Sequence, residues 1–293
     1  MSSDYFSDRE NGPRPRTEET IQPVAWGGIA ATVEALVADG SFGETFPDNC
    51  GDGGAVTGTD WHKWYPVMKA EVADIPWPLT QQQPPNTLQI LDLIEFCHRH
   101  VSKPIPGSYH RFYNHQHLGF DRPAGQRQFR ESINRLLARN GLAYELSDDG
   151  KVMRLAPAVL REDLQTAVFH TGDQTLDALL EAARLKFLNP NPQVRRESLE
   201  KLWDAWERLK TTESGPDKKA QVKALLDKGA AEQNFRALLE TEAKALTDIG
   251  NNFLIRHSET NRTPIQADAH VDYLFHRLFS LISLLLRSKK TAT

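Results

Sequence analysis

Cysteine is nearly absent. Cys50 and Cys97 are the only two in 293 residues, and a pair so far apart in sequence builds no disulfide framework, which excludes the small stapled scaffolds of secreted proteins and fits a reducing compartment. Long apolar runs are missing too. The most apolar stretch, residues 274 to 286, is broken by His276, Arg277, Ser280 and Ser283 and falls short of the roughly 20 apolar residues that a spanning helix needs. The opening MSSDYFSDRENGPRPRTEET has no apolar block behind a basic start, so it is not read as a secretory signal. The expected location is the cytoplasm, with no membrane partner. Nor is there an excess of charge of one sign. With 35 Lys and Arg against 39 Asp and Glu, the net charge is -4, so contact with nucleic acid requires a local basic patch.

What is present is a globular composition, 39% hydrophobic, in a chain long enough for two domains. Residues 1–22 are rich in Pro, Arg, Glu and Ser and are expected to form a disordered tail. Residues 23–156 read as a mainly helical N-terminal α+β domain. Apolar residues at helical spacing mark VAWGGIAATVEALVADG, WHKWYPVMKAEVAD, LQILDLIEFCHRHV with Asn86-Thr87 as its cap, and GQRQFRESINRLLARNG. LAYEL and KVMRL around Ser-Asp-Asp-Gly form a hairpin signal. From Pro157 nothing reads as a strand. REDLQTAVFH, TLDALLEAARLKFL, PQVRRESLEKLWDAWERLKT, KKAQVKALLDKGA, FRALLETEAKALTDIG and QADAHVDYLFHRLFSLISLLLR are successive helices, and residues 157–293 are expected to be a helical bundle. The fold class is mainly α.

Several stretches imitate functional motifs. In GDGGAVTGTD, Gly53 and Gly58 have the gap of a phosphate-binding loop, but Thr59-Asp60 stands where Lys-Ser/Thr is needed. The same loop imitates a calcium site through Asp48, Asp52 and Gly53, yet Thr59 replaces the acidic twelfth ligand. A structured turn is the better reading. CHRHVSKPIPGSYHRFYNHQH gathers Cys97, His98, His100, His110, His115 and His117, all residue types that bind transition metals. No carboxylate or second cysteine completes a recognised spacing, so packed or surface histidines around an aromatic loop are preferred and no metal is assigned. Asp121 would be the first extra ligand to examine. Residues 87 to 155 also suit a winged-helix reader, with Arg127, Arg130, Arg135 and Arg139 on a recognition helix. The acidic wing SDDGK argues against it, and a solvated arginine face is simpler. Trp203 and Trp206 read as a core stripe, and the lysines of GPDKKAQVKALLDKG as solvent-facing.

One stretch has more polar groups than a helix connection requires. DIGNNFLIRHSETNR, residues 248–262, carries Asn251, Asn252, Arg256, His257, Glu259, Asn261 and Arg262 between two apolar helices. This bundle, with Asn251 six residues before His257 and a long apolar last helix, resembles the HEPN-type domain at the C-terminus of bacterial abortive-infection proteins. FRESINRLLARNGLAYELSDDGKVMRL is similar to the end of the N-terminal domains that accompany such bundles. The resemblance covers about residues 85 to 287. It implies a metal-independent ribonuclease that works as a dimer and uses an Arg, a polar residue and a His at a helix start.

With His257 in the His place and Asn251 in the polar place, the family's Arg falls on Gly250, leaving Arg256 or Arg262 to supply the positive charge. Cleavage through the 2′-hydroxyl would use His257 as base and an arginine to stabilise charge on the phosphate. The candidate site residues are therefore Asn251, Arg256, His257 and Arg262, the partner RNA, and no cofactor is required. The last helix, with Val271, Leu274, Phe275, Leu278, Phe279, Ile282 and Leu285 at helical spacing, serves equally as a homodimer surface or as a core helix. A non-enzymatic nucleic-acid- or protein-binding dimer, and a metal-dependent nuclease built on His98 to His117, remain as other readings.

Overall fold

Six helices carry their start signal in the residue before them. Asp60, Asn86, Asp121, Asp173, Asn191 and Asp217 each accept a hydrogen bond from a backbone N–H two or three residues on, satisfying a donor that the first helical turn leaves without a partner. At Asn86 the cap is reciprocal, with the Gln89 side chain accepting from the Asn86 N–H. The computed structural model describes residues 5–72, 75, 77–81, 83–156, 164, 167–255 and 263–291. Its chain divides into two compact units, Met1–Leu155 and Ala156–Thr293, mostly helical with three small antiparallel strand pairs.

Unit 1 contains α1 (Phe6–Asn11), α2 (Pro23–Ala38), α3 (Trp61–Glu71), α4 (Thr87–His100) and α5 (Arg122–Arg139). Its core is built from Trp26, Ile29 and Val33 of α2, Trp64 and Met68 of α3, Ile90, Ile94 and Phe96 of α4, and Phe129, Ile133 and Leu137 of α5. The three pairs are β1 (Pro47–Asn49) with β2 (Val56–Thr59), β3 (Lys103–His110) with β4 (His115–Asp121), and β5 (Tyr144–Leu146) with β6 (Val152–Arg154). The last is the hairpin expected from sequence. The Asn134 amide pins it to α5 by donating to the Leu146 carbonyl at 2.9 Å and accepting from its N–H at 2.8 Å. Gly150 turns the hairpin at φ +81, a conformation that only glycine adopts without strain.

Two findings differ from expectation. Residues 5–22 do not form a disordered tail. The Glu18 N–H donates to the Gly141 carbonyl, and the Ala143 N–H donates to that of Glu18. Arg16 donates to the Leu142 and Tyr144 carbonyls, and Asp8 pairs with Arg139. Backbone pairing and ion pairs along the β5 edge order a segment whose apolar content could not. The other two strand pairs were also missed, because neither alternates apolar with polar residues and β3 contains Pro104 and Pro106.

Unit 2 contains α6 (Gln174–Phe187), α7 (Pro192–Leu209), α8 (Lys218–Gly229), α9 (Gln233–Asn252) and α10 (Asp268–Thr291), and no strand among the described residues. Of the helix expected over residues 161–170, Leu164 is helical, Ala167–His170 are described and are not helical, and the rest lies outside the described residues. Helix α7 buries Leu199, Leu202, Trp203 and Trp206, and Phe187 stacks on Phe275 of α10 with ring centroids 3.9 Å apart. Arg195 is fully buried, its charge met by Asp268 at 2.9 Å. Within α10 the segment Asp268–Ser288 is long and apolar enough to cross a membrane, with 44% of its apolar window buried. The face of α10 considered as a dimer surface is core: Val271, Leu274, Phe275, Leu278, Phe279, Ile282 and Leu285 are all buried within the bundle.

Candidate functional site

The polar stretch between α9 and α10 begins and ends at one place. The Leu254 N–H donates to the Thr263 carbonyl at 2.9 Å, and Phe253 and Thr263 form an isolated parallel bridge. Arg256, His257 and Arg262 fall within residues 256–262 and lie outside the described residues. Asn251 is described, exposed on the last turn of α9.

Gly250, where the sequence resemblance calls for Arg, is buried against α7. A Cβ there would lie 2.2 Å from Trp203 Cδ1 and 2.4 Å from Nε1, while that indole N–H donates to the Leu246 carbonyl at 2.9 Å. No side chain fits at 250, so the glycine is a packing requirement and the position supplies no cation.

Basic residues gather elsewhere in unit 2, on α8 and α9 and at the end of α7. A groove of 860 Å³ is lined by Lys210, Lys218, Lys219, Lys223, Arg236 and Lys244 against three carboxylates, Asp217, Glu240 and Asp248. Some of this charge is already met. Lys210 and Lys218 contact Glu207, whose carboxyl stays below its ordinary value because the two ammonium groups outweigh the opposing effect of burial. Lys223 and Arg236 share Asp227. Lys219 and Lys244 have no ion-pair partner among the described residues. The lysines read from sequence as merely solvent-facing thus converge on one concave surface, which their spacing on a single helix does not reveal. Lys244, Thr247 and Asp248 line the groove, and Asn251 follows on the same face, seven residues after Lys244.

The arginines of α5 have another fate. Arg130 pairs with Asp148 of the expected wing and Arg139 with Asp8. The groove beside them has four arginines, Arg16, Arg130, Arg135 and Arg139, and five carboxylates, Asp8, Glu131, Glu145, Asp148 and Asp149, which is no surface for phosphate. The glycine-rich loop 51–55 is the turn between β1 and β2, and Asp60 is spent on capping α3.

The histidine-rich stretch is divided by the fold. Cys97 is fully buried in the core, and burial pushes its thiol above the ordinary range. His98 and His100 sit on α4, both held below the ordinary imidazole value chiefly by burial. His98 packs against Gly150, and His100 lies against Phe46 and Phe96. Asp121 caps α5. His110, His115 and His117 stay together on the β3–β4 hairpin, and the residue that joins them is Cys50, from the turn after β1. The proximity of Cys50 has no signal in the spacing of residues 97 to 117.

The sequence model of a family described as AbiJ N-terminal domain 4 matches residues 4–170. No curated protein and no solved structure matches the chain.

Proposed function

The chain belongs to the AbiJ N-terminal domain 4 family, the match taking in more than half of its length, and from this membership of an abortive-infection family we propose that unit 2 is the effector, a HEPN-like module acting on RNA. Unit 1 then carries the recognition that sets it off. The observation that carries this reading is the basic groove between α8 and α9, whose Lys244 lies seven residues before Asn251 on α9, the helix that precedes Arg256, His257 and Arg262 in the sequence. A groove of this kind suits a phosphate backbone, because neutralising phosphates with Lys or Arg releases condensed counterions irrespective of sequence.

In this reading His257 takes the 2′-hydroxyl proton and Arg256 or Arg262 stabilises the charge that develops on the phosphate. No metal enters the reaction. Gly250 favours a second reading, in which the module binds RNA without cutting it, since the position that should hold a cation is filled by the Trp203 indole. Pairing of two copies would use apolar residues left outside the core, such as Phe235 and Leu238 of α9.

The test uses purified full-length protein and its His257→Ala variant, incubated with tRNA and mRNA, with and without EDTA. Cleavage by the wild type in EDTA that is lost in the variant supports the ribonuclease. Retention of RNA by both proteins without cleavage supports the binding module. Neither cleavage nor retention, by protein shown to be folded by circular dichroism, overturns both.

A further inference from the structure

From the arrangement around the β3–β4 hairpin we infer that Cys50, His110, His115 and His117 form a zinc(II) site that ties this hairpin to the turn after β1. One ligand atom from each of the four residues lies within 4.8 Å of all the others, and Cys50 Sγ is 3.4 Å from His110 Nδ1. Tetrahedral zinc, with bonds of about 2.0–2.3 Å, sets its ligand atoms about 3.3–3.7 Å apart. A contraction of about 1.5 Å at most would close the cluster on one ion. The rings are disposed accordingly. The centroids of His110, His115 and His117 make a nearly equilateral triangle with sides of 5.6, 5.5 and 5.5 Å, and three imidazoles around one tetrahedral zinc would have centroids about 5.2 Å apart.

Strand geometry explains how the sequence reaches this arrangement. His110 and His115 are directly opposite in the hairpin register, and His117, two residues after His115, projects from the same face. The fourth donor comes from a separate hairpin, brought in where Gly51 lies against Tyr113, so closely that a Cβ would be 2.9 Å from the phenol oxygen.

Two of the three nitrogens not needed for metal are already engaged. His110 Nε2 is 3.3 Å from an Asp52 carboxylate oxygen, and His117 Nδ1 is 3.1 Å from the Ser108 hydroxyl. Such partners fix the tautomer and aim of metal-bound histidines. His115 Nε2 and His117 Nε2 are buried with no hydrogen-bond partner among the described residues, which a packed-histidine reading leaves unexplained and a metal would satisfy. Three imidazoles and one thiolate make four protein ligands, with no open position for water or substrate, the signature of a structural zinc. The hairpin has reason to need one. No residue of β3 or β4 is buried, and an isolated two-stranded hairpin is marginal in water.

The test is metal retention by the full-length chain. Protein is incubated with excess zinc chloride, desalted, and its zinc measured by mass spectrometry. Parallel samples are Cys50→Ser, His117→Ala, Asp52→Asn and, as control, the exposed His62→Ala. The expected result is one zinc per chain in the wild type and in His62→Ala, less than about a tenth of that in Cys50→Ser and His117→Ala, and affinity weakened about 10–100-fold in Asp52→Asn. Cobalt(II) in place of zinc should give a tetrahedral visible spectrum with a thiolate-to-metal band that Cys50→Ser removes. Wild-type protein that keeps no zinc overturns the site, as does zinc kept undiminished by Cys50→Ser and His117→Ala. Where a variant fails to fold, the wild-type cobalt spectrum decides: an octahedral spectrum without a thiolate band overturns the site.

Discussion

The β3–β4 hairpin of unit 1 and the α7 helix of unit 2 hold polar groups in place by opposite means. Helix α7 buries eight of its eighteen residues, enough that the surrounding packing holds Arg195 and the Trp203 indole against their partners, Asp268 and the Leu246 carbonyl. The hairpin buries none of its strand residues and sets three imidazoles on one face through backbone register. Where apolar area is plentiful, a polar side chain is fixed by what surrounds it. Where it is scarce, the polar side chains themselves must supply the link, and a thiol with three histidines is a set able to do so.

The comparison is broken most forcefully at the packed end. Gly250→Ala drives a methyl group into the Trp203 ring, and overpacking of this severity should destabilise the bundle by about 3 kcal/mol. Urea unfolding followed by tryptophan fluorescence measures it. Gly54→Ala, in the β1–β2 turn with open space around the added methyl, should change stability by less than about 0.5 kcal/mol. Equal effects at the two glycines would remove the distinction. A smaller effect sharpens the reading of the α9 groove. Lys219→Ala with Lys244→Ala should weaken RNA retention about tenfold and reduce the slope of log affinity against log salt by about 1.4, since each phosphate contact with a single strand contributes about 0.7. An unchanged slope would take the groove out of the RNA path.

The smallest effect is one of pH, and it belongs to unit 1. His98 and His100 are held below the ordinary value of 6.5, chiefly by burial. The folded chain therefore binds fewer protons than the unfolded chain as pH falls through 6.5, and stability present above that value is lost below it. Thermal unfolding at pH 7.5, 6.5 and 5.5 should show the decline, and His100→Phe should flatten it by removing one of the two groups.

Much of the helical architecture was legible, because capping residues such as Asn86 and Asp173 act on their own first turns and apolar spacing repeats locally. The β5–β6 hairpin was legible for the same reason, with Gly150 at its turn. The paired strands of residues 47–59 and 103–121 were not, since their pairing is made by backbone groups common to every residue and their side chains do not alternate. The ordered segment 5–22 was misread on the same ground: low apolar content says nothing of a neighbouring strand edge that accepts backbone hydrogen bonds.

For the candidate sites the division is similar. The abundance of polar groups in residues 248–262 and of histidines in residues 97–117 is a property of the sequence, and so is the membership of an abortive-infection family. Only the tertiary structure decided that Gly250 is a contact with Trp203, that Lys219 and Lys244 share a groove, and that Cys50, sixty residues before His110, stands beside it while Cys97 lies buried elsewhere. Local rules act over one or two helical turns or across one hairpin. A site drawn from two hairpins depends on long-range contacts that no local pattern encodes.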